Sequence, residues 1–218
     1  MKNSANQPFV ALMGNPNSGK TAIFNLLTGL DQKVSNYPGI TVERKMGTAR
    51  IGESKSINIL DLPGTYSITP ESFDEKIVAE QVMEWVKGKN KPEAIISVVD
   101  GTNLSRNLYL TTQLLELGIP VIIALNMMDR AKVQGKSINH NELKEILGVA
   151  DVIPMSAREN WGIEELKEAI NFAYRGNSVE SHSHLKMAIP PEVSKILQST
   201  ELQLRDNYKY PQSLVGIQ

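Results

Sequence analysis

The sequence predicts an α/β fold: a mostly parallel sheet of six to seven strands with helices on both faces, followed by a partial small helical domain. Three observations lead there. Short apolar runs of strand length alternate with stretches of helical spacing between residues 9 and 175. The runs at 94–100 and 121–126 are apolar almost throughout, as strands covered on both faces are. Finally, Gly14-Asn15-Pro16-Asn17-Ser18-Gly19-Lys20-Thr21 fits the pattern G-x-x-x-x-G-K-[ST] and stands between an apolar strand and a helix.

Each element follows in order. Residues 9–13 (Phe-Val-Ala-Leu-Met) read as a buried first strand, and 20–28, running through Ala22 and Ile23, as the first helix. Residues 30–40 are polar and carry Asn36, Pro38 and Gly39, so they read as a long loop. Residues 42–51 and 56–61 flank Gly52-Glu53, which predicts a hairpin. Ile77, Val78, Val82 and Trp85 put one apolar face on a helix over 74–86. A strand at 94–100 leads to a helix over 104–117, stopped by Gly118 and Pro120. A strand at 121–126, a short helix at 139–147, a short strand at 151–154 and a helix at 163–175 complete the alternation.

After Arg175 the character changes. Residues 176–183 are polar, and His182 and His184 lie in a Ser-His-Ser-His run that reads as a linker rather than a metal site. Pro190-Pro191 precede a helical pattern at 192–205 carried by Val193, Ile196, Leu197, Leu202 and Leu204. The expected organisation is a domain over 1–175, then a linker and the beginning of a helical domain over 176–218, cut short at its end.

Bulk composition narrows the function classes. Of 218 residues, 41% are hydrophobic and 22% charged, enough for one good core plus a small appendage. The formal net charge of -1 gives no broadly basic surface, so nucleic acid is not an expected partner. The absence of cysteine excludes disulfides and thiolate metal sites. Apolar runs such as 121–125 are too short to span a bilayer, and the first residues lack a signal-peptide core, so the chain as given is expected to be soluble. The eight methionines fall mostly at core spacings, and Trp85 and Trp161 are expected to pack against helices.

Four loops after strands carry the chemistry. In the first, Gly14 to Thr21, consecutive amides and a helix N-terminus converge on one anion. Lys20 would reach the β- and γ-phosphates of a nucleotide and the Thr21 hydroxyl would bind Mg²⁺. In Asp61-Leu62-Pro63-Gly64, the Asp at a strand end would hold Mg²⁺ through water, and Gly64 would bring its N–H to a γ-phosphate with no Cβ in the way. In Asn126-Met127-Met128-Asp129, the Asp129 carboxylate would accept from the N1–H and N2–H₂ of guanine, a donor pair that adenine lacks. Asn126 would tie that loop to the phosphate loop. In Ser156-Ala157-Arg158, a backbone N–H would contact the guanine O6. Thr41, in Gly39-Ile40-Thr41, would bind Mg²⁺ by its hydroxyl and the γ-phosphate by its N–H, so that losing the phosphate releases the loop.

Together these elements resemble the translation-factor class of small GTPase domains. The segments Asn36-Tyr37-Pro38-Gly39-Ile40-Thr41-Val42-Glu43-Arg44-Lys45 and Asp61-Leu62-Pro63-Gly64-Thr65-Tyr66-Ser67, with the phosphate loop and Asn126–Asp129, resemble the N-terminal cytosolic G domain of the FeoB ferrous iron transporter family. The resemblance covers roughly residues 9–175. It implies a P-loop GTPase fold that binds GTP and GDP. It also implies a helical guanine-nucleotide-dissociation-inhibitor-like domain after it and a membrane iron-permease domain in the same full-length protein. The full-length protein would then lie in the bacterial inner membrane with this part on its cytoplasmic face, homo-oligomer formation being a further expectation.

Lys20, Thr41, Asn17 and Gly64 are the expected catalytic group. Many GTPases place a water-orienting Gln after the D-x-x-G glycine; this chain has Thr65. In potassium-activated members of the class, the Asn at the position of Asn17 coordinates K⁺ where an arginine finger would put positive charge, so K⁺ joins Mg²⁺ as an expected cofactor. Two alternatives stand beside the transporter domain: a soluble GTPase of ribosome assembly or tRNA modification, and a slow nucleotide-switched interaction module.

Overall fold

In the computed structural model, residues 7–29, 32–36, 43–53, 55–70 and 73–175 are described. Among them, β1 (Phe9–Gly14), β2 (Gln32–Asn36), β3 (Glu43–Arg50), β4 (Ser56–Asp61), β5 (Ala94–Asp100), β6 (Val121–Asn126) and β7 (Asp151–Pro154) form one seven-stranded sheet. Its order is β2-β3-β4-β1-β5-β6-β7. β3 is antiparallel to both its neighbours and all other pairings are parallel. Parallel neighbours need crossovers, and the helices α1 (Lys20–Thr28), α2 (Phe73–Val86), α3 (Leu104–Leu115), α4 (Met128–Val133) and α5 (His140–Leu147) lie in them, whereas α6 (Ile163–Tyr174) follows β7.

Alternation along the central strands sends side chains to two cores. Val10, Leu12, Ile59 and Ile96 pack in one cluster with Ile23, Phe24 and Leu27 of α1 and Leu166 and Ile170 of α6. Their neighbours Ala11, Met13, Leu60 and Ile95 are also fully buried. On that second face Ser97 of β5 and Thr111 of α3 share a 2.8 Å hydrogen bond. Truncating a side chain as enclosed as Phe24 to Ala would cost about 3–5 kcal/mol.

The chain leaves β1 first towards β4 and later towards β5. The point where strand order reverses therefore lies at the carboxyl end of β1, where open α/β sheets bind ligands. The hairpin turn at Gly52-Glu53 closes with Ile51 N–H on the Lys55 carbonyl at 3.0 Å.

The structure corrects two details and adds one helix. Residues 32–36, read as part of a loop, form β2 and pair with β3 from Gln32↔Gly47 to Asn36↔Glu43. β2 sits at the sheet edge, where backbone bonding suffices and no apolar pattern is imposed. The segment after Asn126 enters the short helix α4 at once. Trp85 is enclosed as expected, but Trp161 is 40% exposed and its Nε1–H donates to Glu159. The helix expected at 192–205, and all of 176–218, lie outside the described residues.

Candidate nucleotide-binding site

Gly14 to Thr21 connects β1 to α1 at the switch point. Its backbone is set by two close approaches. A Cβ on Gly14 would meet the Val98 carbonyl oxygen at 2.8 Å, so β5 leaves room only for glycine. Gly19 has φ +88°, and a Cβ there would lie 2.2 Å from Asn126 Nδ2. Asn17 also sits in the left-handed region at φ 65°, with its side chain exposed. Thr21 and Ala22 are exposed at the start of α1.

The loop contains two enclosed polar atoms without a hydrogen-bond partner, Asn15 Oδ1 and Ser18 Oγ. The other end of the Asn15 amide is engaged: Nδ2 donates to the Arg106 carbonyl of α3 at 3.4 Å.

Lys20 and Asp61 are both buried and form a direct ion pair. Burial pushes the Asp61 carboxyl above its ordinary range, and the charge of Lys20, its hydrogen bond and the charge of Lys45 pull part of the way back. After Asp61 the chain folds against the phosphate loop. Leu62 N–H donates to the Leu12 carbonyl at 3.2 Å and Thr65 N–H to the Gly14 carbonyl at 3.1 Å. A Cβ on Gly64 would stand 3.3 Å from Pro16 Cα. Buried Thr65 directs its hydroxyl to the Ser67 carbonyl at 2.6 Å and to Glu75 at 3.2 Å.

The other side of the site is cross-bonded. Buried Asn126 donates from Nδ2 to the Ser18 carbonyl at 2.9 Å and accepts from Ala157 N–H at Oδ1, also at 2.9 Å. One amide thus joins three loops. Met127 holds φ 62°, which turns the chain sharply into α4 and sets Asp129 in its first turn. Ser156, fully buried, donates its hydroxyl to Asp129 Oδ1 at 2.9 Å and accepts from Glu159 N–H at 3.2 Å. Arg158 is exposed next to this pair.

The structure therefore brings together Gly14 to Ala22, Asp61 with Gly64, Asn126 with Met127 and Asp129, and Ser156 to Arg158. Gly39, Ile40 and Thr41 lie outside the described residues. Sequence reasoning missed Arg106 and Gln113 on α3, which hold the segment after Gly64; nothing local in the sequence marks them. A separate cavity of about 880 Å³, lined by Phe9, Thr48, Asn58, Glu84, Lys91 and Glu93 among others, opens near the amino end of β1, away from these loops. Its mixed charges converge on no single ligand type.

A seven-stranded sheet with a phosphate loop at its switch point, an Asp at the end of β4 and an N-x-x-D loop after β6 define the P-loop GTPase fold. Comparison with known proteins carries this further. The family model FeoB_N, described as ferrous iron transport protein B, matches residues 9–170, and the chain belongs to that family. It is 42% identical over 197 residues to an Fe(2+) transporter FeoB of Legionella pneumophila (strain Paris), covering 88% of this chain and 25% of that protein. It is 45% identical over 175 residues to the Fe(2+) transporter FeoB of Salmonella typhimurium (strain LT2), covering 78% and 22%. The chain thus spans about a quarter of the length of these curated relatives. The solved cytosolic domain of L. pneumophila FeoB superposes with a TM-score of 0.79 at 41% identity, covering 94% of this chain and 83% of that one. The cytosolic domain of the T. maritima FeoB iron transporter in a GDP form gives 0.80 at 37% identity, covering 93% and 76%. No helix among the described residues is long and apolar enough to cross a membrane.

Proposed function

We propose that this chain binds GTP, hydrolyses it to GDP and phosphate, and thereby regulates or drives ferrous iron uptake through a membrane domain elsewhere in the full-length protein. The observation that carries the reading is Asn126, whose amide links the phosphate loop to the loops of Asp129 and Ser156. Relatives described as Fe(2+) transporters, and solved relatives described with GDP or GMPPNP, support it.

Gly14, Asn15, Pro16, Ser18 and Gly19 wrap the phosphates with their backbone, and Lys20 leaves Asp61 to pair with them. Asp129 accepts from the guanine edge, held by the Ser156 hydroxyl. Thr21 and Asp61 offer the hard oxygen donors that suit Mg²⁺, with Thr41 as third donor. Once bound, Mg²⁺ supplies positive charge to the β- and γ-phosphate oxygens. Asn17 offers an exposed amide at the loop's left-handed turn, whose oxygen would hold K⁺, and that ion would add positive charge beside the phosphates.

Hydrolysis is slow in this reading. Thr65 stands in the usual place of the water-orienting Gln, but it is buried and its hydroxyl is committed to Ser67 and Glu75. The test is phosphate release from GTP by the purified chain in matched K⁺ and Na⁺ buffers with Mg²⁺. Turnover, faster in K⁺, is expected; no turnover in either would overturn the catalytic reading, and equal rates would remove K⁺ from it.

A further inference from the structure

The segment after Gly64 rests on α3 at two points. The Arg106 guanidinium lies 4.2 Å from the centre of the Tyr66 ring. Ile68 N–H donates to Gln113 Oε1 at 3.0 Å. Arg106 and Gln113 are seven residues apart, about two helical turns, and so share one face of α3. Arg106 also touches the phosphate loop, because its carbonyl accepts from Asn15. One residue outside all four motifs therefore contacts both the phosphate loop and the segment that follows Asp61.

The packing at Gly64 gives this contact a consequence. Gly64 lies against Pro16, and Thr65 N–H is bonded to the Gly14 carbonyl. Lys20, at the end of the same loop, is paired directly with Asp61, three residues before Gly64. A third phosphate that sits between the loop and Gly64 must part these groups, and Tyr66, two residues on, must then slide relative to α3. A diphosphate makes no such demand.

Resting on the nucleotide reading above, we infer that Arg106 is a positioning residue for the Asp61–Thr65 segment. Its stack on Tyr66 opposes entry of a γ-phosphate and so tunes the preference between GDP and GTP. The stack acts through Tyr66 and does not touch nucleotide.

The test measures the affinities of the 218-residue chain for GDP and for GMPPNP by calorimetry. The proteins are wild type, Arg106→Ala, Tyr66→Leu, the double variant and Tyr66→Phe. Each of the first two substitutions should shift the GDP-to-GMPPNP preference towards GMPPNP by roughly two- to fivefold, the strength of an exposed cation–π contact. The double variant should shift it no further than either single change, and Tyr66→Phe, which keeps a ring, should match wild type. A purely structural role would weaken both nucleotides alike and leave the ratio unmoved. An unmoved ratio, or additive shifts in the double variant, overturns the inference. If Arg106→Ala fails to fold, Tyr66→Leu reads the same stack. Wild-type protein that binds neither nucleotide would overturn the nucleotide reading, and this inference with it. Wild-type binding with an unmoved ratio overturns the inference alone.

Discussion

The base side and the phosphate side of this site are built differently. On the base side, Asn126 and Asp129 bond to Ala157 and Ser156 across two loops, and the buried Asn126 amide is satisfied at both ends, its Nδ2 reaching the Ser18 carbonyl of a third. On the phosphate side, Lys20 and Asp61 neutralise each other, and Asn15 Oδ1 and Ser18 Oγ are enclosed without partners. The proposed base side is preorganised, so a guanine nucleotide would find its recognition groups already placed. The phosphate side has to exchange internal partners for ligand partners. Changes on the base side should therefore act on all guanine nucleotides together, whereas changes on the phosphate side should separate diphosphate from triphosphate.

The sharpest way to break the comparison is Asp129→Asn. It would remove the two charge-assisted hydrogen bonds proposed to guanine and present an amide of opposite pattern. GDP and GTP should both weaken by roughly two to four orders of magnitude, and xanthosine diphosphate should gain. Titration with both diphosphates checks it; an unchanged base preference would show that Asp129 does not read the base. Next comes Asn126→Ala. It strands the Ser18 carbonyl and the Ala157 amide, so urea unfolding should lose about 2–4 kcal/mol. A loss below about 0.5 kcal/mol would mean that the cross-bonding holds little together.

Lys20→Ala tests the other side. Affinity for GMPPNP should fall roughly ten- to a hundredfold, with GDP affected less, because the lysine is assigned to the terminal phosphates. Equal losses for the two nucleotides would contradict the division proposed here. The smallest effect is on pH. Asp61 has a raised pKa in the folded chain, so with rising pH the unfolded chain ionises first. Its contribution to stability is full below the ordinary carboxylate range near about 4 and is lost as pH climbs through the raised folded value. The stability of wild type relative to Asp61→Asn should therefore decline over that rise, as urea midpoints would show; a difference that grows with pH would contradict the burial argument.

Much of this was legible in the sequence, for a physical reason. The candidate ligand loops follow apolar strands, and both the strands and the turn chemistry are local signals. β5, β6 and β7 coincide with the runs expected at 94–100, 121–126 and 151–154. The edge strand β2 was not legible, because backbone pairing with β3 imposes no side-chain pattern. Nor was the direct pairing of Lys20 with Asp61, or the reach of Asn15 to Arg106 across 91 positions of sequence. Those contacts depend on which strand lies next to β1, and spacing along the chain does not encode that. Trp161, a large apolar side chain expected to pack against a helix, instead lies 40% exposed at a loop edge bridged to Ser156, a pairing that no local pattern marks.

The central claim is that the base side stays fixed while the phosphate side parts. Amide hydrogen exchange on the chain saturated with GDP and then with GMPPNP tests it most directly. Equal protection of the Ser156 and Ala157 amides is expected in both states, with a clear difference at the Leu62, Gly64 and Thr65 amides. Exchange that differs at Ser156 and Ala157 but is the same from Leu62 to Thr65 would contradict it.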